Sequence, residues 1–399
     1  MTSRAFYACL AKPVTPDRGF ETAEFEGRVL RAQAAMRSAG LDAMFFTTEP
    51  EIRYFTGYLT RFWESPSRPW FLVLPQSGKP VAVIPSIGAA LMSKTWITDI
   101  RTWSSPDLED DGLSLLASTI KDRVSKAGRI AVPSGHETHL RMPLSDFERL
   151  KAALPLCEFT SDHGIMRSLR MVKSEAEIAK IKTACEIAGR AFDRVPEIAQ
   201  QGRSLDAVFR GFQSLCLQEG ADWVPYLAGG HGPLGYEDVI SPAGPELLQP
   251  GDALMLDTGL VHDGYFCDFD RNFVAGKPAP ELSAAWERLL EAVEAGKEAA
   301  MPGKTAADVF HAMDKIVTGG KGTGDAGRLG HGLGMQLTEW PSLIASDQTI
   351  LQAGMVLTLE PGIALPGGGL LVHEDDFVIR EAGPEQLSPL ASLSLPRLD

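Results

Sequence analysis

Hydrophobic positions recur at helical spacing over residues 21–39, where Phe25, Val29, Ala32 and Met36 share one face, and Gly40 then ends the helix. The apolar, strand-like LDAMFFT follows, so a helix feeds a strand and starts an α/β unit. Further strands are expected at WFLVLP, PVAVIP and RIAVP, with helical stretches such as Ser114–Ala127 between them. The pattern changes near Leu169–Ser174. Ser174-Glu175-Ala176-Glu177 is a capping box, and Ile178, Ile181, Ala184, Cys185 and Ala188 continue it at helical spacing. The expected division is an α/β domain over residues 1–168 and a second domain over 169–399. The second domain reads as helices at 174–195 and 204–219, a strand-rich segment at 252–275, and helices at 281–300 and 305–317. Strands around 329–340, 355–363 and 369–380 complete it. Blocks of helices and strands, rather than strict alternation, predict an α+β class with a mostly antiparallel sheet.

Composition narrows the function. With 399 residues, 44% hydrophobic and 23% charged, the chain is long enough for two or three packed domains. Its 38 Lys and Arg against 52 Asp and Glu leave a net charge of −14, which disfavours nucleic acid and anionic membrane surfaces as partners. No apolar run is long enough to span a bilayer and the first residues lack a signal core, so a cytoplasmic location is expected. Cys9, Cys157, Cys185, Cys216 and Cys267 are odd in number and widely spaced, indicating neither a disulfide framework nor a thiolate zinc site.

Two segments concentrate carboxylates. LMLDTGLVHDGYFCDFDRNF reads as a β-hairpin; with a four-residue loop over Val261–Gly264, Asp257 falls directly opposite Asp268. In LTLEPGIALPGGGLLVHEDDFVI the turn centred on Gly367 sets Glu360 opposite Glu374. Between these hairpins lies His331, bracketed by Gly330, Gly332 and Gly334, whose bare backbone allows close approach of a ligand. Singly, such an Asp is usually a turn cap and such a His a structural one. Together, four carboxylates and an imidazole form an oxygen-dominated set suited to two divalent ions of the Mn²⁺, Co²⁺, Fe²⁺ or Zn²⁺ kind, spaced about 3.5–4 Å apart. Facing carboxylates that close must otherwise share protons.

These residues resemble the pita-bread metallopeptidases, a family that includes methionine aminopeptidase, aminopeptidase P, prolidase and creatinase. The markers are Arg170-Met171-Val172-Lys173-Ser174 with Glu177, Pro250-Gly251-Asp252 ahead of Asp257-Thr258-Gly259, and Gly264-Tyr265 before Asp268 and Arg271. Gly330-His331-Gly332-Leu333-Gly334, Glu360-Pro361-Gly362 and Glu374-Asp375 continue the series. The resemblance implies a pita-bread C-terminal catalytic domain with a smaller creatinase-type α/β domain before it, marked by Arg53-Tyr54-Phe55-Thr56-Gly57-Tyr58. It implies that Asp257, Asp268, His331, Glu360 and Glu374 hold two divalent ions, that Glu360 is also the base, and that the chain is a homodimer acting on small peptides, most simply Xaa-Pro dipeptides. Arg61, Trp63 and Arg68 in the stretch Arg61–Trp70 are the candidate substrate-recognition residues of the first domain.

The chain departs from the pattern where peptidases of this family carry two auxiliary histidines. Thr338 stands in one place, and counting back from Asp252 reaches Val239-Ile240 in the other. His231 and His373 are the candidate substitutes, His231 as a proton donor and His373, with Thr338, near substrate. Asp270, two residues after Asp268 on the same strand face, is a candidate sixth acid or base, or the partner of a neighbouring Arg. The alternatives to a peptidase are a metal-dependent lyase of this fold, such as a dimethylsulfoniopropionate lyase, a creatinase-like C–N hydrolase, and a non-enzymatic binding module.

Overall fold

The computed structural model describes residues 18–65, 68–322 and 327–398; Cys9, and Pro66 and Ser67 of the candidate recognition stretch, lie outside the described residues. The described chain forms two compact units, Arg18–Arg170 and Met171 onwards.

The first unit opens with α1 (Thr22–Ala39), which buries Phe25, Val29, Ala32 and Met36 and stops where Gly40 turns left-handed at φ 64°. The order continues β1 (Ala43–Phe46), α2 (Glu49–Thr56), β2 (Phe71–Pro75), β3 (Val81–Pro85), α3 (Ala89–Met92) and β4 (Asp99–Trp103). It closes with α4 (Leu113–Arg123), β5 (Arg129–Val132), α5 (Leu144–Ala153), β6 (Glu158–Ser161) and α6 (Ile165–Met171). The strands form one sheet in the order β4-β3-β2-β1-β5-β6, antiparallel where β2 meets β1 and β3 and parallel elsewhere. β1, β2 and β3 are buried along their whole length, as expected of continuous apolar runs with both faces covered.

The second unit begins with α7 (Glu175–Asp193), opened by the capping box of Ser174 and Glu177, and α8 (Leu205–Glu219). β7 (Trp223–Gly232), β8 (Ala253–His262), β9 (Tyr265–Phe266) and β10 (Phe269–Ala275) follow, then α9 (Pro280–Ala299) and α10 (Ala306–Val317). The C-terminal strands are β11 (His331–Gly332), β12 (Glu339–Ser342), β13 (Val356–Leu359), β14 (Gly362–Ala364), β15 (Leu370–Val372), β16 (Asp375–Val378), β17 (Glu385–Gln386) and β18 (Arg397–Leu398). One sheet runs β18-β10-β8-β7 with β9 on β8; a second runs β12-β11-β13-β16-β17; β14 and β15 form a separate ribbon. Only β18 against β10 is parallel among these named strands. A core of Trp286, Leu289, Phe310, Met313 and Leu359 packs α9 and α10 against the sheets.

The two acidic hairpins differ in how they meet expectation. Glu360 and Glu374 face each other, because Leu359 pairs with Asp375 and Gly362 with Val372. In the first hairpin His262 pairs with Tyr265, so the turn is the two residues Asp263-Gly264, with φ of 49° and 80°. An Asp-Gly pair with both residues left-handed is the tight turn that matches strand twist, and it displaces the expected four-residue loop. The register therefore moves by two. Asp257 pairs with Asp270, and Asp268 falls opposite Gly259, diagonal to Asp257 but on the same face.

Candidate metal centre

The structure brings five buried or largely buried side chains together: Asp257 on β8, Asp268 just before β10, His331 on β11, Glu360 after β13 and Glu374 before β16. Ligand atoms of Asp268, His331 and Glu374 all lie within 4.8 Å of one another. Burial lifts Asp257, Asp268 and Glu374 well above the usual carboxylate range, and mutual repulsion adds to it: Asp257 and Glu360 act on Asp268, and Asp268, Glu360 and Asp257 act on Glu374. Burial raises Glu360 to about 7, against the opposing charge of Arg328.

His331 is fixed by its other nitrogen. Nδ1 lies 2.8 Å from the carbonyl oxygen of Gly332, which accepts its proton and leaves Nε2 with a lone pair, 3.3 Å from Asp268 Oδ2. Burial pushes His331 down to about 3, so the ring is neutral at physiological pH. Two lone pairs then face each other and need a proton or a cation between them. Asp257 Oδ1 and Glu374 Oε1 are likewise buried without a partner. Hard oxygen donors left unsatisfied, with one neutral imidazole oriented by a carbonyl, fit divalent metal ions.

The glycines around His331 serve a different purpose from the one expected. A Cβ at Gly330 would lie 2.2 Å from the carbonyl oxygen of Thr358, and one at Gly332 would lie 2.1 Å from that of Trp340. They admit neighbouring backbone rather than a ligand, and so pack β11 closely between β12 and β13.

A layer of charge surrounds the five. Asp270 is a sixth buried acid, paired across the ladder with Asp257, and is not the partner of an Arg side chain: its Oδ1 accepts the Glu374 N–H at 3.0 Å and lies 3.2 Å from His373 Nδ1. His373 Nε2 lies 3.2 Å from Asp375 Oδ2, its ring packs on Trp286 with centroids 4.8 Å apart, and its exposure is 0%. Against the cost of burial, Asp375 and Asp270 raise this imidazole to about 9. His373 is thus a buried imidazolium, hydrogen-bonded through Nδ1 and within ion-pair distance of Asp375 through Nε2, with no surface to offer a substrate, contrary to the sequence-based expectation. Asp375, though buried, is held at about 2 by Arg271 and His373. Asp376 accepts the Asp268 N–H at 3.0 Å and the Cys185 thiol at 3.2 Å through one oxygen, while burial raises it to about 8.

His231 is also misplaced by the sequence reading. On β7, Ala228 pairs with Asp257, so His231 three residues on points to the opposite face. Its Nδ1 lies 2.8 Å from Asp252 Oδ2, and its ring lines a separate cavity of about 440 Å³ with Gly235, Glu237 and Gly367. Thr338 accepts a hydrogen bond from Arg328 Nη2 at 3.2 Å. In the first unit, Arg61 pairs with Glu64, and Arg68 lies 5.1 Å over the Phe62 ring. Trp63 is buried against Trp70, with ring centroids 5.7 Å apart, and so is not presented to a ligand. Arg141 ties this loop down, donating to the carbonyls of Arg68, at 3.0 Å, and Trp63, at 2.8 Å.

Three residues at the site carried no usable sequence signal. Tyr226, which shares the face of Asp257 across the β7–β8 ladder, lies on β7, where Pro225 and the glycines hide the strand period. Asp376 was hidden in an acidic trio. Arg328 precedes the Gly330–His331 pair by two residues, and its charge acts on Asp268, Glu360 and His331.

Two family profiles match the chain: metallopeptidase family M24 over residues 179–381, and the creatinase/prolidase N-terminal domain over residues 28–172. An Xaa-Pro dipeptidase of Lactobacillus delbrueckii subsp. lactis is 28% identical over 364 residues, 88% of this chain and 94% of that protein. One of Pyrococcus horikoshii is 32% identical over 251 residues, 62% of this chain and 71% of that protein. The crystal structure of dipeptidase PepE from Mycobacterium ulcerans matches with a TM-score of 0.79 at 29% identity, covering 95% of this chain and 99% of that one.

Proposed function

This chain belongs to metallopeptidase family M24, and from that membership we propose that it is a dipeptidase working with two divalent metal ions on small peptides of the Xaa-Pro kind. Its architecture is that of the prolidase branch, a pita-bread unit preceded by a creatinase-type α/β unit. The observation that carries the proposal is the gathering of four carboxylates and a neutral imidazole with buried, unsatisfied oxygens at Asp257 and Glu374. Asp257, Asp268, His331, Glu360 and Glu374 would hold the ions. When bound, the ions supply Lewis acidity that activates water and polarises the scissile carbonyl.

The protein's own contribution is orientation and proton handling. Asp270 fixes the backbone of Glu374 through its N–H, and Asp376 does the same for Asp268. The Gly332 carbonyl sets the tautomer of His331. A side-chain oxygen of Glu360 would receive the proton of the attacking water, as a carboxylate within reach of the reacting centre can.

Metal analysis of the purified protein with turnover of an Xaa-Pro dipeptide panel tests this. Two ions per chain and hydrolysis abolished by chelation are expected. Asp268→Asn and Glu374→Gln should each lose metal and at least ~100-fold in kcat/KM, the scale of removing a group that holds the reacting centre. Wild-type metal content in either variant, or no cleavage of any dipeptide by the loaded protein, would count against the reading.

A further inference from the structure

The cavity beside His231 has no part in the proposed hydrolysis. At about 440 Å³ it falls within the range of small-molecule sites, roughly 300–1,000 Å³. His231 pairs with Leu254, three residues from Asp257 along β8, and so points away from the carboxylate face. The walls are backbone held in place. Tyr236 and Leu370 exchange both backbone hydrogen bonds, at 3.0 and 2.9 Å, which ties the turn after β7 to the end of the β14–β15 ribbon. A Cβ at Gly232 would lie 2.3 Å from the Gly235 carbonyl oxygen, and one at Gly369 1.9 Å from that of Leu234, so these segments touch directly. The space they enclose is shaped before any ligand arrives.

One imidazole is aimed by a buried partner. His231 Nδ1 lies 2.8 Å from Oδ2 of the buried Asp252, an oxygen that also accepts the Gln249 N–H at 2.9 Å. A carboxylate only accepts, so Nδ1 of the neutral ring carries the proton and Nε2 keeps a lone pair on the edge left to the cavity. Glu237, Asp238 and Glu246 also line the space, and among the described residues its lining includes no Lys or Arg. The Ser241 hydroxyl and the N–H groups of Ile240, at 2.7 Å, and Ser241, at 3.1 Å, hold the Asp238 carboxyl below its usual range, so it stays ionised. Acceptors and negative charge without a resident cation call for a positively charged ligand.

Spacing decides which kind. Among the described residues, His231 belongs to no group of three ligand atoms within 4.8 Å of one another, the arrangement found at Asp268, His331 and Glu374. A metal ion needs its donors around one point, whereas an ammonium or guanidinium on a carbon chain reaches acceptors set further apart. Leu205, Pro233 and Leu234 offer apolar wall to such a chain.

We propose that this cavity binds a small organic cation, an amine or guanidine on a short carbon chain, whose N–H groups donate to His231 Nε2 and to the carboxylates of Glu237, Asp238 and Glu246. It is an accessory site apart from the reacting centre, and it does not depend on the chain being a dipeptidase.

Calorimetric titration of the manganese-loaded protein with 1,4-diaminobutane and agmatine, against 1,4-butanediol and succinate, tests this. Saturable binding of at least one cation is expected, at least ~10-fold tighter than the diol, the scale of charge-assisted hydrogen bonds, with no binding of succinate. Tighter binding of agmatine would identify guanidinium as the group recognised, and tighter binding of the diamine would identify ammonium. The double variant Glu237→Gln with Glu246→Gln changes two exposed side chains and should weaken binding at least ~10-fold. His231→Phe should weaken it severalfold; because that change also strips Asp252 of its partner, the double variant keeps the test independent of folding. Should an Xaa-Pro dipeptide be turned over, the cation should leave its KM unchanged. If no dipeptide is cleaved, the peptidase reading fails and the titrations still decide the cavity's role. Absence of saturable binding, equal binding of the diol, undiminished affinity in the folded double variant, or competition with the dipeptide, which would place the cation at the metal centre, overturns the proposal.

Discussion

His373 illustrates how far a residue's type falls short of its role. Next to Glu374 in the sequence it offers a proton donor; in the fold its Nδ1 is engaged by Asp270, its Nε2 lies 3.2 Å from Asp375 and its ring is covered by Trp286. The five clustered residues were legible because each sits in a short motif with turn chemistry around it. The partners that orient them were not, since the contacts of Asp270 with His373 and of Asp376 with the Asp268 N–H join segments distant in sequence. His373→Gln leaves Asp270 and Asp375 without their shared imidazolium, and losing one partner of a buried charge pair costs about 3–5 kcal/mol. The sign of its pH dependence follows from a folded value raised from 6.5 to about 9. The stabilisation is complete below the unfolded value and disappears as pH rises through the folded one. Urea unfolding should show wild type well ahead of His373→Gln at pH 6 and the gap narrowing by pH 9.5; a constant gap would remove the imidazolium from the account.

At the level of elements, the reading succeeded where a period was long and failed where a turn decided. The Glu360–Glu374 register followed from the centre of a glycine-rich turn, whereas the Asp257 register was displaced by two because Asp263-Gly264 turns in two residues. β7 went unread because Pro225, Gly229 and Gly230 break its alternation, although it forms an edge of the sheet that carries Asp257. The glycines near His331 mattered for strand spacing, which gives a graded prediction. Gly332→Ala drives a Cβ to within 2.1 Å of the Trp340 carbonyl oxygen, so β11 and β12 must part and His331 must move. A loss of about 2–4 kcal/mol, at the severe end for one substitution, is expected together with weakened metal binding. Gly367→Ala, at φ 90° with nothing within 4 Å of the added carbon, should cost only the left-handed strain of about 1–2 kcal/mol and leave metal affinity intact. Denaturant midpoints and metal titration of the two variants separate them; equal effects would mean that strain alone, not strand spacing, governs the site.

For the molecule as a whole, a net charge of −14 is easily solvated on the surface, and the difficulty lies in the acidic groups kept inside. Without ions the folded state must hold protons there. Burial raises Glu360 from 4.5 to about 7 and Asp376 from 3.8 to about 8. A carboxyl raised on folding stabilises fully below its unfolded value, and that contribution is lost as pH climbs through the folded value. For Glu360 the shift corresponds to about 3 kcal/mol, at about 1.4 kcal/mol per unit. The metal-free protein should therefore lose thermal stability between pH 5 and pH 8. Ions replace those protons, so binding should release protons, the loaded protein should be nearly flat over the same range, and the metal-induced rise in Tm should grow with pH. Thermal scans with chelator and with manganese at pH 5.5, 7 and 8.5 decide the matter. A metal-free protein as stable at pH 8.5 as at pH 5.5 would mean that its buried carboxylates are neutralised by groups other than protons and ions, and the electrostatic basis of the centre would have to be sought elsewhere in the fold.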